Sequence, residues 1–456
     1  MKILFVNRFF YPDHSATSQM LSDLAFALAG RGYAVEVVTS SLSYDGSERF
    51  KARENIGGVT IVRLPGTGFG RARLLGRSLD YLSFYLAALA SLLWRVRAGD
   101  IVVAKTDPPM LSLLSAPICA LKGAAQINWL QDLFPEVAEA LGIGKGRVQK
   151  TGLALLRALR NASLKSAHMN IVLGERMAAK LKSLGLKESQ IKIIANWADG
   201  CAIRSIEAEH NRLRKEWGFG RAFVVGYSGN LGRAHDWRTF LAAIEALEGK
   251  ALAPDRAAAP GPQARAPLAE IGEWPALWLF IGGGAGMEAL KREAERRLLK
   301  SIVFQPYQPR ELLSDSLSLP DLHLISLRPE LEGLIVPSKY YGIAAAGRPA
   351  IFVGDPGGEI ARLLEDSASG SGVAQGDGEG LARAILALAG DPELAARQGE
   401  RARALFEARF DLPLAIEAFE AVLADAACAT KAGAAKAKRA GAGRGHPAFP
   451  PEKKPD

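Results

Sequence analysis

The sequence predicts an α/β protein built from two doubly wound parallel-sheet domains. Three observations carry that expectation. Short β-branched and apolar runs alternate with helical patterns, as parallel strands covered on both faces do. The alternation runs to an end and starts again past residue 200. The 456 residues, 48% hydrophobic and 23% charged, suffice for two cores of ordinary size. That balance excludes a wholly disordered chain, a collagen-like repeat and a polytopic membrane protein.

Residues 2–7 read as a buried strand, followed by a helix with Leu21, Leu24, Ala25 and Leu28 on one face. Gly30 and Gly32 end that helix, and AVEVVT at 34–39 is the next strand. A strand at 59–64, a helix at 74–96, a strand at 101–104, a helix at 108–121 and a strand at 125–130 follow. Strands at 168–173 and 191–194 close the first half. The second half opens with a strand at 223–227 and a helix at 237–247. Strand 276–281, helix 287–299 and strands at 302–304, 322–325 and 349–353 complete it. The boundary falls at 199–207, giving an N-terminal domain over 1–200 and a C-terminal domain over 201–426, with a cleft between them. A last helix is expected near 412–423. The Ala- and Pro-rich stretch 249–272 and the basic tail 427–456 cannot bury a core and are expected to be disordered.

Lysine and arginine exceed aspartate and glutamate by nine, but from residue 427 onward there are seven basic residues and only two acidic ones. The body is mildly basic, so composition calls for no nucleic-acid partner. Cys119, Cys201 and Cys428 are far apart, with no metal-ligand spacing and no disulfide framework. The opening MKILFV runs straight into a strand without a cleavage-site signature. A reducing cytosol is the expected compartment.

The loop after the first strand reads NRFFYPDHSATS, residues 7–18. A nicotinamide-binding turn needs glycines there, so that the backbone can approach a pyrophosphate. This loop has none, which weighs against a dehydrogenase. Tyr11, His14 and Ser15 suit an acceptor site, with a plain structural loop as the alternative. The phosphate chemistry falls in the second half. In YSGNLGRAHD (227–236), Gly229 and Gly232 let amides converge on an anion, with Asn230 and Arg233 beside them. A second loop, GGGAG (282–286), brings Gly282 and Gly283 to another strand end. Two such loops favour a diphosphate site over ordinary tight turns. In SLRPELEGLIVPSKYYGIAAAGRPAIFVG (326–354), Pro337 suits a first helical position, which sets Ser338 and Lys339 at the helix mouth.

In this order the pieces resemble the retaining GT-B glycosyltransferases of family 4, specifically the bacterial subgroup that builds exopolysaccharide, capsule or O-antigen. That subgroup uses a VPSK-x-Y…AAGRP donor motif. Supporting segments are DPP (107–109), QDLFPE (131–136), NWAD (196–199), GNLGR (229–233) and FQPY (304–307). The likeness runs from Met1 to about Leu423 and omits the insertion and the tail. It implies two Rossmann-like domains facing a cleft, a nucleotide-diphosphate-sugar donor on the second, a saccharide acceptor on the first and a final helix near 412–423 that crosses back to the first domain. The broader family carries two glutamates eight residues apart. Here the second position is Gly342 and the first is Leu334. Glu332, two residues upstream and followed by Gly333, is then the candidate for contacting the sugar, with Lys339 or Glu359 as compensating groups. Asn230 and His235 occupy the family's two diphosphate-binding cation positions, leaving Arg233 as the cation. Tyr307 is the candidate nucleobase wall.

The resemblance also makes Asp107, Gln131, Asp132 and Glu136 acceptor-binding candidates. For Asp132 and Glu136 the alternative is a carboxylate pair at a helix start. The catalytic set is Asp132, Arg233, Glu332 and Lys339, with cations and amides meeting the charge of the departing diphosphate. No metal or other cofactor is expected. The fourteen uncharged residues YLSFYLAALASLLW (81–94) are too few to span a bilayer. They are bracketed by Arg71, Arg73, Arg77, Arg95 and Arg97. A buried helix is one reading; the other is an interfacial helix at residues 71–97 on anionic lipid. The subgroup's acceptors, polyprenyl-diphosphate-linked sugars at the inner face of the cytoplasmic membrane, suit the second. Two rivals share the architecture: a nucleotide-sugar 2-epimerase, and a catalytically degenerate GT-B binding partner.

Overall fold

The computed structural model describes residues 1–13, 15–44, 46–69, 74–143, 146–251 and 274–442. The first sheet holds β1 (Ile3–Val6), β2 (Val35–Ser40), β3 (Arg53–Ile56), β4 (Val59–Leu64), β5 (Ile101–Ala104), β6 (Ala125–Trp129), β7 (Met169–Val172) and β8 (Ile191–Ile193). Their order is β3-β4-β2-β1-β5-β6-β7-β8. Strands β1, β2, β5 and β6 are buried along their whole length, as their continuous apolar runs require. The second sheet holds β9 (Val224–Asn230), β10 (Leu277–Gly283), β11 (Ile302–Gln305), β12 (Leu322–Ser326), β13 (Ala350–Gly354) and β14 (Gly370–Ala374), in the order β11-β10-β9-β12-β13-β14. Its pairings are parallel. Both sheets are wound outward from a central pair, β1 with β5 and β9 with β12. Loops leaving such a pair diverge to opposite faces, and the crevice between them is where open α/β sheets bind ligands.

Two strands have no counterpart in the sequence reading. β3 is a polar edge strand, half-exposed or exposed at every position, and pairs antiparallel with β4. The turn is Gly57-Gly58, at φ of 55° and 82°, the glycine pair that a tight hairpin favours. β14 is GSGVA, without a strand composition. Gly370 is required there because a Cβ would stand 1.9 Å from the Ala350 carbonyl oxygen.

Helix boundaries also depart from expectation. The helix after Pro337 spans Lys339–Ala345, so Pro337 and Ser338 precede it. The last helix runs Leu412–Ala442, well past 423. Residues 427–442 are therefore helical, against the expected disorder, because alanine and lysine are strong helix formers. The helix Arg238–Ala251 reaches into the expected insertion. The rest of that insertion and the tail from 443 lie outside the described residues.

The chain forms two compact units. One comprises Met1–Trp129, Leu159–Asn170 and the chain from Phe419 onward; the other comprises Leu130–Ala158 and Ile171–Ala418. In the first, Phe419 packs edge-on against Trp129, with ring centroids 4.8 Å apart. His168 pairs with Asp425 at 2.8 Å. In the second, Tyr227, Phe240, Trp278 and Phe280 centre the core.

Candidate functional site

In the second unit the two glycine loops are one structure. β9 and β10 run in register to their ends, Gly229 opposite Gly282 and Asn230 opposite Gly283. Gly229 and Gly282 adopt φ of 115° and 127°, and a Cβ on Gly282 would lie 2.3 Å from the Gly229 carbonyl oxygen. Leu231 N–H donates to Gly283 O and Gly286 N–H to Leu231 O, each at 2.8 Å. Among the described residues the amides of Gly232, Arg233 and Gly284 donate to no carbonyl. Arg233 is exposed, without an ion pair among those residues. The Tyr307 ring, 60% exposed, lies against Gly283, 3.4 Å from where its Cβ would be.

Lys339 reaches these loops from the helix Lys339–Ala345. Its Nζ donates to Asn230 O at 3.2 Å and meets His235 Nε2 at 3.3 Å. It also lies 5.1 Å from the Tyr227 ring centroid. His235 Nδ1 sits at Ser326 O, an acceptor, so Nδ1 carries the hydrogen and Nε2 offers its lone pair to Lys339. Burial, with the Lys339 charge beside it, pushes His235 down to about 3. Burial pushes Lys339 down to about 8. The imidazole is thus a neutral acceptor across the physiological range, and the ammonium keeps one N–H beyond those two bonds.

The loop that follows β12 is anchored by carboxylates. Glu332 Oε1 accepts the Glu359 N–H at 2.5 Å. It caps the helix Glu359–Asp366, whose own cap residue, Gly358, has no side chain. Burial raises the Glu332 carboxyl, against that hydrogen bond and the charge of Arg176. Glu359 in turn accepts from Glu175 N at 3.1 Å and Arg176 N at 3.0 Å, the first residues of the helix Glu175–Ser183. Arg176 pairs with Asp355 at 3.3 Å. Gly333, at φ 74°, turns the chain beside the Arg176 backbone.

Two residues on, Ile335 bridges Asp132, and Leu133 N–H donates to Leu334 O at 3.0 Å. Gln131 donates to Asn196 Oδ1 at 3.1 Å. Glu136 opens the helix Glu136–Ala140 and lies 3.4 Å from Arg157. A Cβ at Gly342 would face the apolar Leu317 and Ile203, at 3.3 and 4.0 Å.

The structure thus gathers Gly229, Asn230, Gly232, Arg233, Gly282, Gly283, Tyr307 and Lys339 at the glycine loops. It gathers Asp132 with Glu332 and Gly333 at the adjoining loop. Gln131, Asp132 and Glu136 fall in the second unit with these glycine loops. Tyr11, Ser15 and Asp107 fall in the first unit. Sequence reasoning did not single out Arg176 and Asp355, which have no local motif and join the loop only through the fold.

In the first unit the loops after β1 and β5 meet, with Arg8 N–H donating to Asp107 O at 2.6 Å. Ser15 caps the helix Ala16–Gly30, accepting from Ser18 N–H. Tyr11 is 42% exposed, and its carbonyl accepts from Arg63. Thr17 Oγ1 lies 3.5 Å from Asp107 Oδ2. His14 lies outside the described residues. Lys105, another residue the sequence reading passed over, is fully buried. It donates to Thr17 O at 3.0 Å and lies 3.5 Å from the Trp129 ring centroid. Burial holds its ammonium well below the usual lysine range, opposed by Asp107 and Asp23.

Residues 16–197 match the glycosyl transferase 4-like domain family. A probable glycosyltransferase, WbjE of Pseudomonas aeruginosa, is 27% identical over 320 residues, 69% of this chain and 72% of that protein. The putative colanic acid biosynthesis glycosyl transferase WcaI of Escherichia coli K12 is 23% identical over 380 residues, 80% of this chain and 86% of its own. Anabaena HepE, solved in complex with UDP-glucose, superposes with a TM-score of 0.66 at 15% identity, covering 93% of this chain and 100% of that one. The fold is GT-B, two Rossmann-like parallel-sheet units. With the matched domain and the two relatives it marks the chain as a glycosyltransferase.

Proposed function

We propose that the chain moves a sugar, with retention, from a nucleotide-diphosphate-sugar to a lipid-linked saccharide in surface polysaccharide biosynthesis. The relatives favour neither the epimerase nor the inactive binding partner. The observation that carries the reading is Lys339, held by Asn230 O and by a neutral imidazole, with an N–H left over beside the joined glycine loops.

In this scheme the diphosphate lies on the loop amides, Lys339 and Arg233, and Tyr307 stacks on the base. The bond from the anomeric carbon to the diphosphate breaks, and the acceptor oxygen bonds to that carbon on the same face. The acceptor proton passes to the departing phosphate oxygen. Charge developing on the leaving group is met by groups already in place. The scheme calls on no metal. Glu332 contacts the sugar through the oxygen that is not bonded to Glu359 N, and Asp132 beside the same loop handles the acceptor. The UDP-glucose bound to HepE supports a nucleotide-sugar donor, and the WcaI name supports an exopolysaccharide setting.

The scheme places the enzyme at the inner face of the cytoplasmic membrane. Among the described residues no helix is long and apolar enough to cross a membrane. The helix Leu74–Arg95 instead presents Leu75, Leu79, Leu82, Leu86, Leu93 and Trp94 outward, each at least 40% exposed. That stripe supports a helix lying in the interface. A panel of nucleotide-sugars tests the reading, scored by thermal shift and by transfer to a membrane extract. Unchanged donor affinity in both Arg233→Ala and Lys339→Ala would overturn the placement of the diphosphate.

A further inference from the structure

The Lys339 ammonium is surrounded at close range by uncharged groups. Asn230 O accepts from Nζ at 3.2 Å, His235 Nε2 stands at 3.3 Å, and the Tyr227 ring centroid lies 5.1 Å away. Among the described residues no carboxylate pairs with it. Asp236, next to His235 in the chain, is buried and faces the other way. Its carboxylate accepts from Arg238 N and Thr239 N, both at 3.2 Å, and from the Thr239 hydroxyl. It thereby caps the helix Arg238–Ala251. Two neighbouring residues thus serve opposite ends, His235 the lysine and Asp236 the helix. Both are riveted to the end of β12. Ser326 O takes the His235 Nδ1–H, Ser326 Oγ accepts the Asp236 N–H at 2.8 Å, and Arg328 N–H donates to Ala234 O at 2.9 Å.

We propose that His235 is a positioning residue, a fixed neutral acceptor that aims the Lys339 ammonium at the donor diphosphate and brings no charge of its own. The proposal rests on the placement of the diphosphate at the glycine loops. An imidazole orients a partner only when its tautomer is set by the bond on its other nitrogen, and Ser326 O sets it here. The sequence reading put His235 at a cation position, but a protonated ring would repel Lys339. Burial prevents that, keeping His235 neutral down to about 3. An acceptor favours the charged form of an amine, so the ring opposes the burial that pushes Lys339 down to about 8. The other titratable groups around this ammonium are Tyr227, held well above its ordinary range by burial, and the exposed Arg233. Arg328, at the end of β12, pairs with Glu330 at 3.5 Å. Neither Tyr227 nor these arginines offers Nζ a lone pair at hydrogen-bond distance, so His235 is the side chain that can steer it.

The test is a double-mutant cycle in the full chain, read by isothermal titration with UDP. His235→Leu should lower UDP affinity roughly fivefold to tenfold where Lys339 is present, and by less than about twofold in the Lys339→Met background. Any general loss of stability is common to both backgrounds and cancels. His235→Gln, whose carboxamide oxygen can accept at the place of Nε2, should restore most of the affinity. In His235→Leu the alkaline limb of UDP binding should move to lower pH by roughly one unit. Equal losses in both backgrounds, or a limb that stays where it is, would make the imidazole a structural residue and overturn the proposal. Labelling of Lys339 by acetic anhydride across the pH range, read by mass spectrometry, reports the amine without UDP. If Lys339→Met keeps full UDP affinity while His235→Leu lowers the labelling midpoint, the placement of the diphosphate fails and the hold on Lys339 stands. If Lys339→Met weakens UDP but neither the cycle nor the labelling responds to His235, the placement stands and the proposal falls.

Discussion

The two sheets offer the same crevice twice and furnish it differently. After β9 and β10 the backbone itself is the instrument: Gly229 and Gly282 bring two strand ends together, and a lysine is led in over them. After β1 no glycine intervenes between Asn7 and Ser18, and after β5 the buried Lys105 reaches the Thr17 carbonyl. Each crevice has a lysine depressed by burial. Lys105 is sealed, its ammonium on Thr17 O and the Trp129 face. Lys339 is only half-buried and holds a donor in reserve. A lysine in each crevice therefore says little about role; what decides is whether its charge is sealed in the core, as at Lys105, or borders an exposed loop, as at Lys339.

The largest effect expected from this contrast is on transfer. Lys339→Met removes a charge-assisted contact and should lower donor affinity roughly 10- to 100-fold. Lys105→Met replaces a sealed charge by an apolar chain, so stability should stay within about 1 kcal/mol or rise, with donor affinity intact. Isothermal titration with donor and urea melts of both variants decide it; equal loss of donor affinity in the two would erase the distinction. Next comes Gly282→Ala, whose Cβ meets the Gly229 carbonyl in a left-handed backbone. It should destabilise by about 2 kcal/mol or more, whereas Gly232→Ala, with only the Asn230 side chain 3.4 Å away, should cost well under half of that.

A pH titration sharpens the comparison further. With Lys339 at about 8, the ammonium that on the proposed scheme attracts the diphosphate is present below that value and lost above it. Donor affinity should be level on the acid side and fall by up to about tenfold per unit as pH rises through 8. Lys339→Arg should flatten the alkaline limb, since a guanidinium stays charged. His235, at about 3, adds no step near neutrality. The smallest effect belongs to the outer leucines: Leu82→Gln/Leu86→Gln should leave the urea midpoint nearly unchanged, within about 0.5 kcal/mol per site.

Most strands were legible because they are buried on both faces and hence apolar throughout. β3 was not, since RENI at an edge obeys no burial, although Gly57-Gly58 is a readable hairpin turn. β14 escaped because its glycines answer to Ala350 rather than to strand propensity. The glycine loops and Lys339 were legible as site candidates because their residues are chemically unusual where they stand. Counting to Gly342 gave a position but not its surroundings, an apolar wall formed by Leu317 and Ile203. Arg176 and Asp355 had no local signature, being brought to the Glu332 loop only through Glu359 and its helix.

That linkage constrains how the enzyme can be re-engineered. Glu332 holds the start of the helix bearing Glu359, and Glu359 holds the start of the helix bearing Arg176. Gly174 is bare because the Glu359 carboxylate occupies the place of its Cβ, 2.5 Å away. A chimaera that imports another enzyme's 327–337 segment would have to bring residues 174, 176 and 359 along, although nothing in their spacing advertises the dependence.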